Sequence, residues 1–345
     1  MPFGIDIFQR YELGKKIRTE GLVGKATEFA KLHKNKAGTP TMGGVFIILS
    51  VIILTLLSLF IQYISPFIQE TLGFSINHSL WSREETYIAI GTLIGVGLIG
   101  IIDDYLNIRE IGRTKGLSAR VKMVCLILFG IIGAFWFSSK LGYSSMNIPF
   151  LGNIELDTGL TSIEIGEMRF GLVYMIIFVI ILISAANSVN ITDGLDGLAG
   201  GLLFFQYAAY GFITYTQNLF ILSALCFIIA GSLLAFLWFN IHPAQIFMGD
   251  VGSLSLGATL AVVAFMTDTV PAFIVMSGIF IFETISVIIQ MTSKKLRNGK
   301  KIFRVAPFHH HLEAIGWQEE TIVMRLWLVG IILTIIGMIL AMIGK

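Results

Sequence analysis

Nine long apolar runs alternate with polar stretches along the chain, near residues 44–64, 87–102, 121–138, 171–187, 200–216, 219–239, 252–268, 270–291 and 325–343. A helix needs about 20 mostly apolar residues to cross a bilayer, and the shorter runs reach that length by borrowing flanking glycines and hydroxyls. The pattern predicts an all-α polytopic membrane protein of about nine transmembrane helices. Glycine does not weaken this reading, because small residues let membrane helices pack closely. Residues 1–43 contain no such run and no secretory signal. They are expected to form a cytoplasmic N-terminal segment ahead of one transmembrane catalytic domain over 44–345. Within that segment Ile17–Leu32 has a weak amphipathic pattern, and a solvated arm is expected there rather than an interfacial helix. In the stretch 139–170, the alternation in Asn153-Ile154-Glu155-Leu156 and Ser162-Ile163-Glu164-Ile165 predicts a small periplasmic hairpin.

Composition supports the same class. Of 345 residues, 55% are hydrophobic and 13% charged, about half the charged share of a soluble domain, which is roughly 25%; mean hydropathy is +0.82. A soluble enzyme, a disordered chain and a disulfide scaffold are excluded. A net charge of +2 gives no reason to expect a nucleic-acid partner. Cys125 and Cys226 lie in apolar runs, where a reduced thiol acts as a small hydrophobe. Placing the basic segment 1–43 inside the cell puts 20 of the 24 Lys and Arg in or beside cytoplasmic loops, leaving Arg83, Lys140, Arg169 and Lys345 outside. That asymmetry fits the positive-inside rule.

Acidic and amide residues gather on the same side. Asp103-Asp104 is expected to end the second run, either as a helix stop or as a hard-cation or general-base site. Asn190, Asp193 and Asp196 recur every three residues, so they are expected along one side of a helical turn. Gly194, Gly197, Gly200 and Gly201 punctuate the same stretch and would let backbone N–H groups approach a phosphate. Asp250, in Gly249-Asp250-Val-Gly252-Ser253, reads as a helix N-cap or a metal ligand, and the two roles are compatible. His309-His310-His311 cannot all face one ion from a helix, and no cysteine assists a zinc site. Contact with a phosphate or sugar is favoured for them. Lys294, Lys295, Arg297, Lys300, Lys301 and Arg304 read mainly as topology and anionic-lipid anchors. Lys36 and Lys115 sit among glycines or prolines that shape the chain around a cation, whereas Arg120 and Lys122 read equally well as boundary anchors. Glu283 and Gln290 share one face of the eighth run, and Glu283 must face protein or water. Interhelical hydrogen bonding explains that pair as well as catalysis does.

Oxygen ligands without thiols select a Mg²⁺-like ion, which commonly shares its shell with substrate phosphates. The residues therefore suggest phosphoryl transfer between a nucleotide donor and a lipid acceptor meeting at the membrane surface. No Walker-type loop is present. A transporter would need ionisable groups along a path through the spans, yet Glu283 is the only acid well inside one. A catalytically inert relative would not be expected to keep acids in every motif.

Gly38-Thr-Pro-Thr-Met-Gly-Gly44, Asp103-Asp104-Tyr105, Thr114-Lys-Gly-Leu117, Asn187-Ser-Val-Asn-Ile-Thr-Asp-Gly-Leu-Asp-Gly-Leu-Ala199, Phe247-Met-Gly-Asp-Val-Gly-Ser253 and Pro307-Phe-His-His-His-Leu-Glu313 together resemble the phospho-N-acetylmuramoyl-pentapeptide transferase (MraY) family, within the polyprenyl-phosphate N-acetylhexosamine-1-phosphate transferase superfamily. The resemblance implies transfer of phospho-MurNAc-pentapeptide from UDP-MurNAc-pentapeptide to undecaprenyl phosphate, giving lipid I and UMP with Mg²⁺, at a bacterial inner membrane. The alternative is a polyprenyl-phosphate GlcNAc-1-phosphate transferase. The resemblance further implies Asn190 and Asp250 as metal ligands, and Asp103, Asp104, Asp250 and His310 as catalytic. It implies substrate contacts for Lys36, Thr41, Lys115, Asn187, Asp193, Asp196, Asn240, Phe247, Gln290, His309 and His311. Membrane lipids are expected partners, and a homodimer is compatible with the resemblance. The family pattern has ten spans, and the additional one before the first cytoplasmic loop finds no apolar run in 1–43. A lost first helix and a misassigned start are the two expectations.

Overall fold

The computed structural model describes residues 1–14, 20–21, 24–25, 36, 38–73, 75, 77–112, 116–140, 144–157, 161–165 and 168–343. After a short helix α1 (Pro2–Arg10), the chain forms α2 (Gly44–Tyr63), the short α3 (Ser65–Leu72), α4 (Glu84–Ile108), α5 (Ala119–Lys140) and α6 (Leu172–Thr192). It continues through α7 (Leu198–Thr216), α8 (Phe220–Asn240), α9 (Gly249–Met266), α10 (Val270–Met276), α11 (Gly278–Leu296), α12 (Phe308–Ala314) and α13 (Glu319–Ile343).

Among the described residues seven helices are long and apolar enough to cross a bilayer, and α10 with α11, bent by 71°, makes an eighth if the pair is one span. The protein is a polytopic helical membrane protein. The predicted run 200–216 does form a helix, α7, but it falls outside that set. Most of its residues are buried by other helices, while Phe212 and Tyr215 towards its end are exposed. That setting tolerates Gln206, whose amide donates to Met276 O at 2.9 Å, and Tyr207, whose hydroxyl donates to Leu256 O at 2.8 Å. The expected solvated arm over Ile17–Leu32 lies almost wholly outside the described residues.

Helix α9 runs through the middle of the bundle, buried at every residue from Val251 to Met266. It packs against α4 and α6 along its length and touches α2. Small residues make the contact close. A Cβ on Gly44 would collide with the backbone of Gly252, and one on Gly100 would lie 2.5 Å from Asp250 O. The hydroxyls of Ser253, Ser255 and Thr259 donate to carbonyls four residues back, at 2.9, 2.5 and 2.8 Å. Their polarity is therefore satisfied inside the helix, as a dry interior requires.

On the opposite side from the acidic motifs, the two alternating stretches pair with neighbours rather than with each other. Ser145–Ile148 pairs antiparallel with Gly152–Glu155, and Ser162–Ile165 with Met168–Gly171, giving two hairpins instead of the one expected. Left-handed Phe150 and Gly152 turn the first. Asp157, 2% exposed, accepts from Val173 N–H at 3.0 Å and Tyr174 N–H at 3.2 Å, capping the start of α6.

Candidate active site

Asp103 and Asp104 do not end their helix; α4 continues to Ile108. Both are buried, at 3% and 5% exposure, and need not reach water because partners come to them. Asp103 Oδ1 accepts the Leu117 N–H at 2.6 Å, and Oδ2 lies 2.9 Å from Lys122 Nζ. The same ammonium stands 2.7 Å from Asp250 Oδ2. Asn190 Nδ2 donates to Asp250 Oδ1 at 2.8 Å and to Ser253 Oγ at 2.9 Å. Asp104 Oδ2 accepts the Val251 N–H at 3.2 Å. Four helices, α4, α5, α6 and α9, thus deliver three carboxylates, an amide and one cation to a single point.

Local sequence explains the convergence. Gly249 is left-handed (φ +75°), and a Cβ there would overlap Asp104 Oδ2 and lie 3.1 Å from Thr41 Oγ1. Asp250 sits in the first turn of α9 rather than at its cap, which is Met248; an acid there still suits the positive helix end. The Thr41–Gly44 segment is strapped to this turn. Phe247 N–H donates to Pro40 O at 2.8 Å, Gly43 N–H to Phe247 O at 2.8 Å and Gly44 N–H to Met248 O at 2.9 Å.

A second cluster follows α6. The expected single helical face through Asn190, Asp193 and Asp196 is not formed, because α6 stops at Thr192 and Asp193 leaves helical geometry at ψ 54°. The chain turns through left-handed Gly197, φ +78°, so Asn190 and Asp196 serve different clusters. Asp196 Oδ1 lies 2.7 Å from Lys36 Nζ, and Oδ2 lies 2.8 Å from His242 Nδ1 and 3.1 Å from Ala244 N. Glu319 Oε1 accepts from Lys36 Nζ at 2.5 Å and from the Asp196 N–H at 2.7 Å. Ligand atoms of Asp196, His242 and Glu319 fall within 4.8 Å of one another, and Lys36 bridges the two carboxylates as Lys122 does in the first cluster. Asn240 Oδ1 accepts the Gly197 N–H at 3.1 Å and its amide donates to Ile246 O at 2.8 Å, tying both turns together.

The histidines divide, as their helical spacing requires. His309 and His310 meet edge to face, 4.1 Å between ring centroids with planes at 66°, and lie over Gly194, where a Cβ would strike His309 Nε2 and come within 3.1 Å of His310 Nε2. His310 Nδ1 is 2.6 Å from Glu313 Oε2. The fully buried Glu283 accepts the His309 N–H at 3.2 Å on both oxygens. His309 Nδ1 is also 3.2 Å from Glu283 Oε2 but is not aligned as a hydrogen bond. His311 turns away to Phe303 and Phe308 and accepts the Arg304 N–H at 3.3 Å. Gln290 holds the loop beyond α11, accepting the Ile302 and Phe303 N–H groups at 3.0 Å and donating to Phe303 O at 2.8 Å. Asn187 donates to Ile183 O at 2.8 Å one turn before Asn190. Lys115 lies outside the described residues.

Residues 190–197 therefore string together the Asp250 cluster, the histidine pair and the Lys36 cluster. Lys122, His242, Ser253, Glu313 and Glu319 join these clusters without having been singled out as site residues from the sequence. For Lys122 a signal existed: a lysine just inside a span needs a carboxylate partner.

The family model for glycosyl transferase family 4 matches residues 86–268, and a phospho-N-acetylmuramoyl-pentapeptide-transferase signature matches residues 36–48. Proteins of that name from Geobacillus sp. (strain WCH70), Solibacter usitatus (strain Ellin6076) and Desulfatibacillum aliphaticivorans are 36%, 37% and 38% identical to the chain. The alignments cover 97%, 98% and 97% of this chain and 91%, 87% and 87% of those relatives. The chain belongs to the phospho-N-acetylmuramoyl-pentapeptide-transferase family, within glycosyl transferase family 4. The glycosyl transferase family 4 match spans α4 to α9, hence Asp103, Asp104, Asn190, Asp196 and Asp250. The transferase signature adds Lys36 and the Thr41–Gly44 strap.

Proposed function

We propose that the chain transfers phospho-MurNAc-pentapeptide from UDP-MurNAc-pentapeptide to undecaprenyl phosphate, releasing UMP and forming lipid I. The observation that carries this reading is the Lys122 ammonium held between Asp103 and Asp250, with Asn190 on the other Asp250 oxygen. Such a point has both the oxygen donors for a divalent ion and the positive charge for a phosphate. The full-length similarity to proteins named for the reaction supports the choice of substrate. The site lies in one catalytic domain, 44–345, on the cytoplasmic face of a bacterial inner membrane. The N-terminus is inside and the C-terminus outside, as the Lys and Arg distribution supports.

The donor set suits Mg²⁺: Asp250 and Asn190 would hold the ion, Asn190 by turning its amide oxygen inward, since it now presents Nδ2. Bound there, the ion would neutralise charge on the donor diphosphate. Asp103 and Asp104, one of them as base, ready the lipid phosphate. Its oxygen attacks the sugar-bearing phosphorus, the phosphoanhydride to UMP breaks, and a new phosphoanhydride to the lipid forms in one step. One such bond replaces another, so the protein's contribution is positioning and charge neutralisation. Lys36, Thr41, Asp193, Asp196, Asn240 and Phe247 serve the nucleotide and diphosphate end, with Phe247 stacking on uracil. His310 meets the phosphate and sugar, flanked by His309 and His311. Lys115, Asn187 and Gln290 complete the substrate contacts.

The test incubates purified protein with UDP-MurNAc-pentapeptide, polyprenyl phosphate and Mg²⁺, with UDP-GlcNAc in parallel. UMP release from the first donor alone, lost on chelation and restored by Mg²⁺, is expected. Release only from UDP-GlcNAc would overturn the assignment.

A further inference from the structure

Glu319 opens α13, 283 positions from Lys36 and 123 from Asp196, yet one of its oxygens does two things at the Lys36 cluster. Oε1 accepts from Lys36 Nζ at 2.5 Å and from the Asp196 backbone N–H at 2.7 Å. The cation and the backbone of its partner acid are thereby pinned to one atom, on an element separate from both. Asp196 alone would leave the long lysine stem free to swing about a single contact. Its second oxygen is committed to His242 and Ala244. Two carboxylates from different elements confine the ammonium to the line between them. Exposure distinguishes the roles: the Lys36 side chain is 17% exposed, against 3% for Asp196 and 11% for Glu319. The lysine is the group presented, and the acids hold it.

We infer that Glu319 is a positioning residue for the nucleotide end of the site, fixing Lys36 and the 193–197 turn in the geometry that receives the donor. The inference rests on the proposed transferase reading and assigns Glu319 no contact with substrate. A purely structural alternative exists, because an acid in the first turn also favours a helix start. The experiment separates the two.

In steady-state assays of the purified full chain, Glu319→Gln should raise the donor KM about tenfold, the scale expected when a charged hydrogen bond is lost. The kcat and the polyprenyl phosphate KM should stay within about twofold of wild type. Glu319→Asp keeps the helix-start charge but withdraws the carboxylate by one methylene; it should also raise the donor KM while preserving the thermal midpoint. Glu320→Gln removes the next first-turn charge of α13 and only a 3.4 Å contact to His242 Nε2, so it should raise the donor KM by less than about twofold. In a Lys36→Met background, adding Glu319→Gln should cause no further rise. Unchanged donor KM in both Glu319 variants, or a full extra rise in the Lys36→Met background, would overturn the inference. Wild-type protein that releases no UMP from the donor would instead break the underlying reading.

Discussion

Two lysines in this protein each lie between two carboxylates, and their settings differ. Lys122 bridges Asp103 and Asp250 from α5, α4 and α9, all within long helices, of which α4 and α9 pack backbone to backbone. Lys36 bridges Asp196 and Glu319 from a loop, a turn and the first residue of a helix. At the second cluster, backbone N–H groups and an imidazole take up much of the remaining carboxylate capacity. At the first, backbone N–H groups serve Asp103 and Asp104, while Asp250 keeps 20% of its side chain open and takes its contacts from the side chains of Lys122 and Asn190. Rigid helices with an open acid suit the reacting atoms, whereas turns with committed acids suit holding the part of a substrate that does not react.

The sharpest way to break this contrast is Asp250→Ala. UMP formation should fall about a thousandfold or more in kcat, the scale of losing a metal ligand and a charge at the reacting centre. A variant retaining full turnover would remove Asp250 from the chemistry. Lys122→Met should cost about a hundredfold in kcat with little change in donor KM, comparable to deleting one electrostatic stabiliser. If the loss appeared in KM alone, the two lysines would have equivalent roles. Lys36→Met should raise the donor KM about tenfold and spare kcat, as expected for binding felt equally in ground and transition states. Smaller effects probe the helical frame beneath the first cluster. Gly44→Ala forces a methyl group against the Gly252 backbone and should destabilise by about 1–3 kcal/mol, read as a lowered thermal midpoint in detergent. Gly231→Ala, inside α8, meets no atom within 4 Å and should instead stabilise by about 0.5–1 kcal/mol, the helix-interior difference between Gly and Ala.

Much of the frame was legible because lipid demands long apolar segments, and each predicted run became helix, although 270–291 is broken at Ser277 into two helices bent by 71°. What periodicity could not reveal was cross-chain pairing. Asp103-Asp104 looked like a helix end because Lys122 and the Val251 N–H, which let the acids stay buried, are 19 and 147 positions distant. Asp193 and Asp196 looked like a continued helical face because spacing alone does not show that α6 stops at Thr192. The run 200–216 forms its helix largely among neighbouring helices, a placement that apolarity alone does not reveal. Its buried Gln206 and paired tyrosines, read as polar atoms needing protein partners, were the clue to an interior position. The acidic and glycine motifs were visible singly; their division into two lysine-centred clusters required the fold.

Glu283 joins a membrane helix to the histidine segment. Fully enclosed within α11, it grips the first turn of the short histidine helix through the His309 amide. The imidazole pair is thereby moored to the longer arm of the 71° elbow as well as to the water-side loops. Bilayer thickness acting on that elbow would carry the imidazoles with it. Turnover measured across phospholipids of graded acyl length would register the linkage, and a flat response would show that the mooring has slack.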